Sequence, residues 1–331
     1  MLSYILRRLL YIGITVVALS VVSFILIQLP PGDYMDSYIM QLQQSGTEVS
    51  DSEIENLRRQ YGLDLPVGLQ YFVWIKNIIL RGDFGMSFEW RKPVITLIRE
   101  RILFTIVISY LSALFVWVMS VPVGIYCATH QYSITDYIFA AIGYAGLATP
   151  SFLIALVLMF IGFRYFGFSV GGLFSPEFVR APWSMDKFVD LLKHLWIPVV
   201  VLGTSGTCEN IRRMRAILLD ELGKQYVITA RAKGLKEWRL IFKYPVRVSI
   251  TPMVSGLGSL ITGILGGGGI VAIVLSLPTI GPLHLRAVLS QDMYLAGSLL
   301  LFSGLLSLMG FLISDILLVL VDPRIRYEKG A

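Results

Sequence analysis

Few side chains in this 331-residue sequence could carry chemistry, and their spacing narrows what kind. The histidines His130, His194 and His284 stand far apart, with no H-E-x-x-H and no Cys-His spacing for zinc. Cys127 and Cys208 each close an apolar run and read as small packing residues, since two thiols without a nearby histidine make no metal set. No G-x-x-x-x-G-K-[ST] is present to cradle a phosphate, so the chain is not expected to bind ATP. Gly266–Gly269 comes nearest, but it lies inside an apolar run without the lysine and reads as helix packing. Ser205, between Gly203 and Gly206, lacks the G-x-S-x-G of a nucleophile elbow. Asp315 is a lone carboxylate in an apolar run. A proton relay needs several, so it reads as a hydrogen-bonding residue toward a neighbouring helix or a hydroxyl such as Ser314. No catalytic residue and no metal site are expected. What remains is contact with a solute. Ser255, Ser259 and Thr262 set hydroxyls among apolar residues, as the wall of a polar pathway would, and they serve peptides and sugars equally.

A second group of residues could contact another protein. Segment 209–248 is too polar to span a membrane and has helical spacing over Arg212–Thr229 and Leu235–Tyr244. Between these lies Thr229-Ala230-Arg231-Ala232-Lys233-Gly234-Leu235. Small residues at 230 and 232 leave little bulk, and Gly234 permits a sharp turn. Such a helix can sit close against a partner. By composition alone it is equally a basic loop lying on anionic lipid headgroups.

The elements that must hold these residues are membrane spans. Hydrophobic residues make up 55% of the chain and charged ones 15%, well below the roughly 25% of a soluble domain. Windows 11–29, 103–127, 137–163, 195–208, 249–276 and 294–321 hold a single charge between them, Asp315. About 20 apolar residues cross a bilayer core. The windows therefore predict an all-α polytopic protein with six transmembrane helices. The fourth becomes a span only if it draws in Leu191, Leu192 and Ile211. Segments 1–10, 128–136, 209–248 and 322–331 carry fifteen Lys and Arg residues, against five on 164–194 and 277–293. The positive-inside rule then places both termini in the cytoplasm. The net charge of +6 is thereby a topology signal, and no nucleic-acid partner is expected.

Three parts follow: 1–29 with the first span, an outer segment 30–102, and a core 103–331 that includes the loop 209–248. In the outer segment the pattern predicts a polar helix from Ser50-Asp51-Ser52 to Arg59. A largely apolar helix follows from about Pro66 to Leu80, then a turn at Arg81–Gly85 and a short helix Val94–Arg101 leading into the second span. Pro122, Pro150, Pro198 and Pro252 are candidate kinks. The sequence has no internal or inverted repeat, which a self-contained secondary transporter would often show.

Several motifs in order give the chain a family likeness. Tyr226 to Gly234, read as Y-V-I-T-A-R-A-K-G, resembles the loop by which permeases of bacterial ABC importers engage their ATPases. The form is that of the oligopeptide/dipeptide/nickel branch. Leu57-Arg58, Tyr61-Gly62-Leu63-Asp64, Pro66, Gln70-Tyr71 and Trp74 resemble that branch's outer segment. Gly82-Asp83-Phe84-Gly85-Met86-Ser87, Pro93-Val94 and Ile98 through Arg101 do so as well. Arg7-Arg8-Leu9-Leu10 and Asp322-Pro323-Arg324-Ile325-Arg326-Tyr327 agree at the ends. Two departures stand out. Ile228-Thr229-Ala230 replaces the broader family's Glu-Ala-Ala, and 270–278 lacks the acid that relatives often carry in the fifth span, which favours a neutral solute.

The resemblance implies a type I ABC importer permease fold with a periplasmic helical segment between helices 1 and 2, and the first of two paired permeases. It further implies a second homologous permease, two ABC ATPases that hold ATP and Mg, an extracytoplasmic solute-binding protein, membrane lipid around the spans, and the bacterial inner membrane as location. On it, Thr229, Ala230, Arg231, Ala232, Lys233, Gly234 and Leu235 form the coupling helix. Glu55 and Arg59 on the polar outer helix are expected to help dock the binding protein, an oligopeptide or oligosaccharide being the expected cargo.

Overall fold

The computed structural model describes residues 2–28, 65–87, 89–167 and 171–321. The polar helix expected near Arg59, with Glu55, and the Asp322–Tyr327 motif lie outside them. In chain order the helices are α1 (Leu2–Gln28), α2 (Val67–Arg81), α3 (Val94–Thr129), α4 (Ile134–Ala148), α5 (Ser151–Phe166) and α6 (Met185–Leu222). They continue as α7 (Gln225–Ala232), α8 (Glu237–Lys243), α9 (Pro245–Ser255), α10 (Leu257–Val274), α11 (Ile280–Leu289) and α12 (Met293–Val321). Between α2 and α3, β1 (Met86–Ser87) pairs antiparallel with β2 (Lys92–Pro93). Among the described residues four helices, α1, α3, α6 and α12, are long and apolar enough to cross a membrane, and two bent pairs, each counted as one span, bring the number to six.

Two of the six expected spans are bent, one of them at the candidate kink Pro150. Window 137–163 is two helices, set 106° apart at Thr149-Pro150. Proline has no N–H to donate and pushes the residue before it out of the α region. Thr149 is accordingly extended, with φ −89° and ψ 124°, and its hydroxyl donates back to the Ala145 carbonyl at 2.7 Å. The fifth window bends by 41° across Gly256. The fourth window lies in a helix long enough to span: α6 has 38 residues, about 57 Å at 1.5 Å each, and runs well into segment 209–248. The expected short helix Val94–Arg101 is the first part of continuous α3, because no breaker separates it from the second span.

Two units divide the chain. One comprises Met1–Tyr4, Phe104–Pro278 and Leu306–Ala331, the other Ile5–Leu103 and Thr279–Leu305. The first is organised around α6. Ile108, Leu195, Val201 and Val271 belong to one of its cores, and Met214, Leu218, Val246 and Met253 to another. Small residues let helices touch there. A Cβ on Gly203 would lie 2.6 Å from Phe115 and one on Gly206 2.8 Å from Leu260. In the glycine cluster, Gly268 packs on Leu202, whereas a Cβ on Gly266 or Gly269 would meet nothing within 4 Å. Ser314 donates to the Val254 carbonyl at 2.6 Å, which fastens α12 to α9.

In the second unit α2 lies against α1. The Tyr71 hydroxyl meets Ser20 at 2.8 Å, Gln28 donates to Gln70 at 3.1 Å, and Trp74 packs on Phe24. Leu69, Phe72, Val73 and Ile79 of α2 remain exposed, so the helix is as apolar outside as its sequence suggests. Buried Asp292 caps α12 by accepting from the Leu295 amide at 3.2 Å, and it ties down the β1–β2 turn by accepting from Ser87 Oγ at 2.5 Å.

Candidate functional site

The loop residues singled out in the sequence divide into an outer and an inner set. Helix α7 begins at Gln225, after Gly223 and Lys224 end α6, and stops at Ala232. The expected coupling helix 229–235 is therefore displaced toward the N-terminus, because Lys233 is already its cap. Val227 and Ala230, three apart, turn inward onto Leu240 of α8, with Leu235 and Tyr244 alongside. Tyr226, Ile228, Thr229, Arg231 and Ala232 face outward. Gly234 adopts φ +76°, the left-handed turn its position suggested, and a Cβ there would meet no neighbour within 4 Å. The turn closes through the Gly234 amide on the Arg231 carbonyl at 3.0 Å and the Leu235 amide on the Ala230 carbonyl at 3.4 Å.

Two polar ties hold α7 in place. Arg231 grips Glu237 of α8, Nη2 to Oε1 at 2.5 Å and Nε to Oε2 at 3.1 Å. The Tyr226 hydroxyl donates to Glu221 Oε2 at 2.5 Å, which joins α7 to the end of α6. Burial, and after it the Glu221 carboxylate, hold the Tyr226 phenol well above its ordinary pKa, so it stays a donor. Tyr226 and Ile228 belong to the motif read from the sequence but not to the expected coupling residues 229–235. The inward pair Val227/Ala230 at i, i+3 is the signal that could have placed them.

Within the same unit lies a cavity of about 610 Å³. Its polar wall is Ser205, Glu209, Asn210 and Arg213 of α6 with Ser255 and Ser259 from the bent fifth span, and Leu147 and Ser151 flank the break in the third. Arg213 Nη2 pairs with Glu209 Oε1 at 2.5 Å. Ser255 and Ser259 thus come together as expected, but Thr262 does not line the cavity. The lining stripe runs through Gly256, Ser259, Leu260, Gly263 and Ile264, and Thr262 falls beside it with its hydroxyl on the Gly258 carbonyl at 2.9 Å. Glu209, Asn210 and Arg213 were missed because the fourth span was ended near residue 208 and the charged residues after it were assigned to a separate cytoplasmic segment, whereas α6 continues through them. Among the described residues no group of three or more His, Cys, Asp and Glu side chains could hold a metal ion.

In the first unit, two broken spans and the long helix α6 line a cavity with a polar wall, as a solute-transport subunit requires. The comparisons give its family. The model described as binding-protein-dependent transport system inner membrane component matches residues 120–327, and one for the N-terminal part of such components matches 1–109. The chain belongs to this family, as the permease subunit of an ABC importer, multi-pass in the inner membrane. It is 31% identical to the oligopeptide transport system permease protein AppB of Bacillus subtilis, over 99% of this chain and 100% of that one. It is likewise 31% identical to the oligopeptide permease OppB of Haemophilus influenzae, and 26% to the dipeptide permease DppB of Lactococcus lactis. These two alignments cover 99% and 98% of this chain and all of each relative. The rival reading, a self-contained secondary transporter or channel, finds no support.

Proposed function

We propose that the chain forms one half of a translocation pathway for short peptides and couples it to two ABC ATPases through the outward face of α7. A second, homologous permease supplies the other half. An extracytoplasmic binding protein delivers the cargo, and ATP and Mg are held by the ATPases, the chain itself performing no catalysis. Both termini lie in the cytoplasm, in keeping with the Lys and Arg bias. The observation that carries the coupling assignment is the split of α7. One side is packed on α8, and the other leaves Ile228, Thr229 and Ala232 exposed beside Tyr226 and Arg231, whose ties to Glu221 and Glu237 fix the angle of that face. Peptide is favoured over oligosaccharide because the similar permeases AppB, OppB and DppB are oligopeptide and dipeptide permeases. The cavity serves such a cargo with hydroxyls, an amide and the Glu209–Arg213 pair, which can exchange their hydrogen bonds with backbone amides and charged ends.

Reconstitution of all subunits in proteoliposomes tests this. Uptake of labelled di- to pentapeptides that requires ATP, both permeases and the binding protein is expected. Uptake by this chain alone would overturn it, and uptake of oligosaccharides in place of peptides would overturn the cargo assignment. Glu55 and Arg59 are proposed to contribute to docking of the binding protein. Charge reversal at both should weaken its affinity, and an unchanged affinity removes segment 30–102 from that role.

A further inference from the structure

Asp136 and Arg215 lie 79 positions apart and form an ion pair between two helices, the Asp136 side chain being 4% exposed and that of Arg215 30%. The guanidinium meets the carboxylate as a fork, Nε to Oδ1 at 2.8 Å and Nη2 to Oδ2 at 2.7 Å. Oδ2 also accepts from the Tyr132 amide at 3.1 Å, and the Asp136 amide donates to Ser133 Oγ at 3.2 Å, capping α4. One carboxylate thereby fixes the turn after α3, the start of α4 and the side of α6. Further along the same two helices, the Arg212 guanidinium lies 5.0 Å from the centre of the Tyr144 ring, and a Cβ on Gly146 would lie 2.7 Å from Cys208 Sγ.

Stability alone is a poor account of this pair. Taking both charges out of water offsets much of their attraction, and an apolar pair of like volume often holds two helices as well. What a two-pronged fork adds is orientation, since it is satisfied at one register only. Its place in the chain of contacts gives that register a use. Tyr226 ties α7 to Glu221 at the end of α6, Arg215 lies on α6 between that end and the cavity wall at Arg213, and α4 leads from Asp136 to the break at Thr149-Pro150. Leu147 and Ser151, on either side of the break, line the cavity. We propose that Asp136 and Arg215 are positioning residues that lock α4 to α6, so that a displacement received at α7 reaches the cavity wall at Leu147 and Ser151 instead of being absorbed between the two helices. The inference rests on the assignment of α7 as the coupling helix.

Two experiments on the full reconstituted importer test it, both in a Cys127→Ala/Cys208→Ala background. In the first, Asp136→Asn, Arg215→Lys and the double variant Asp136→Asn/Arg215→Gln are assayed for ATPase pull-down, ATP hydrolysis and peptide uptake. The double variant leaves no unpaired buried charge, and so reports even if a single variant misfolds. The expected result is normal pull-down and continued hydrolysis with a several-fold rise in ATP consumed per peptide, similar in the double and single variants. An unchanged ratio of ATP to peptide overturns the proposal. In the second, Asp136→Cys/Arg215→Cys is bridged by a short bis-thiol reagent. The unbridged variant lacks the ion pair and should show the same raised ratio of ATP to peptide, and a tie that makes the two helices move as one body should bring that ratio back toward the wild-type value. Loss of uptake on bridging, restored by cleaving the linker, shows that the helices move past each other and overturns the proposal. Failure of the wild-type chain to bind the ATPases would instead refute the coupling assignment, and the pull-down reports that separately.

Discussion

Ile228 and Ala230 are near neighbours on α7, yet they face opposite ways, and substitutions at the two should fail differently. Ala230 is 8% exposed against Leu240 and Val227, so the small residue expected to leave room for a partner instead leaves room for α8. Ala230→Trp should overpack that contact, at a cost of about 1–3 kcal/mol, and open the loop to protease before any partner is added. Ile228 is 46% exposed with no such duty. Ile228→Asp should leave the loop protease-resistant and membrane insertion normal, while pull-down of the ATPases falls. The assignment of the outer face fails if pull-down is unaffected. Gly234 supports a third comparison. At φ +76° a valine is strained by about 1–3 kcal/mol, whereas asparagine visits that region more readily. Uptake should therefore fall in the order Gly234, Gly234→Asn, Gly234→Val. Equal uptake in all three would mean that the turn is not needed in this form.

At the scale of elements, α11 makes a prediction about pH. The Nε2 of His284 is buried with no hydrogen-bond partner, and burial pushes the imidazole pKa below its ordinary value. The folded helix therefore holds His284 neutral. As pH falls through the unperturbed value of about 6.5, the open form takes up a proton that the closed form resists, so α11 loses stability toward acid and keeps it above that pH. Amide exchange in Ile280–Leu289, corrected for its intrinsic pH dependence, should quicken between about pH 8 and pH 5.5, and His284→Phe should flatten the change. No change in the wild-type chain would show that His284 is not held neutral by the fold. The elements also explain which expectations succeeded. Helix α2 and the Gly82 turn follow from an apolar stripe and a glycine that ends it, both local properties. The merging of Val94–Arg101 into α3 and the length of α6 are not local. Each depends on the chain finding nothing to stop it, and charged residues at 209–215 do not stop a helix that other helices cover.

For the whole molecule, the Lys and Arg bias predicts that a cysteine at Ser52 reacts with an impermeant thiol reagent from outside the cell, and one at Lys236 only from inside. Cys127 and Cys208 must first be replaced. The reverse pattern would invert the topology and with it the side from which α7 is driven.

The sequence alone determined the class of this protein. Six apolar windows with one charge admit only a membrane bundle, and the ordered motifs from Arg7 to Tyr327 carry the likeness to ABC importer permeases, which the family match bears out. Such features are legible because they depend on composition and on residues close together in the chain. Only the tertiary structure decided which face of α7 is free, that Thr262 leaves the cavity while Glu209 and Arg213 enter it, and that Asp136 meets Arg215. Each of these is set by where a helix bends or what packs beside it. A proline or a glycine in a sequence marks where a bend can occur, but the angle is settled by the neighbouring helices, and with it the side chains that end up facing the same space.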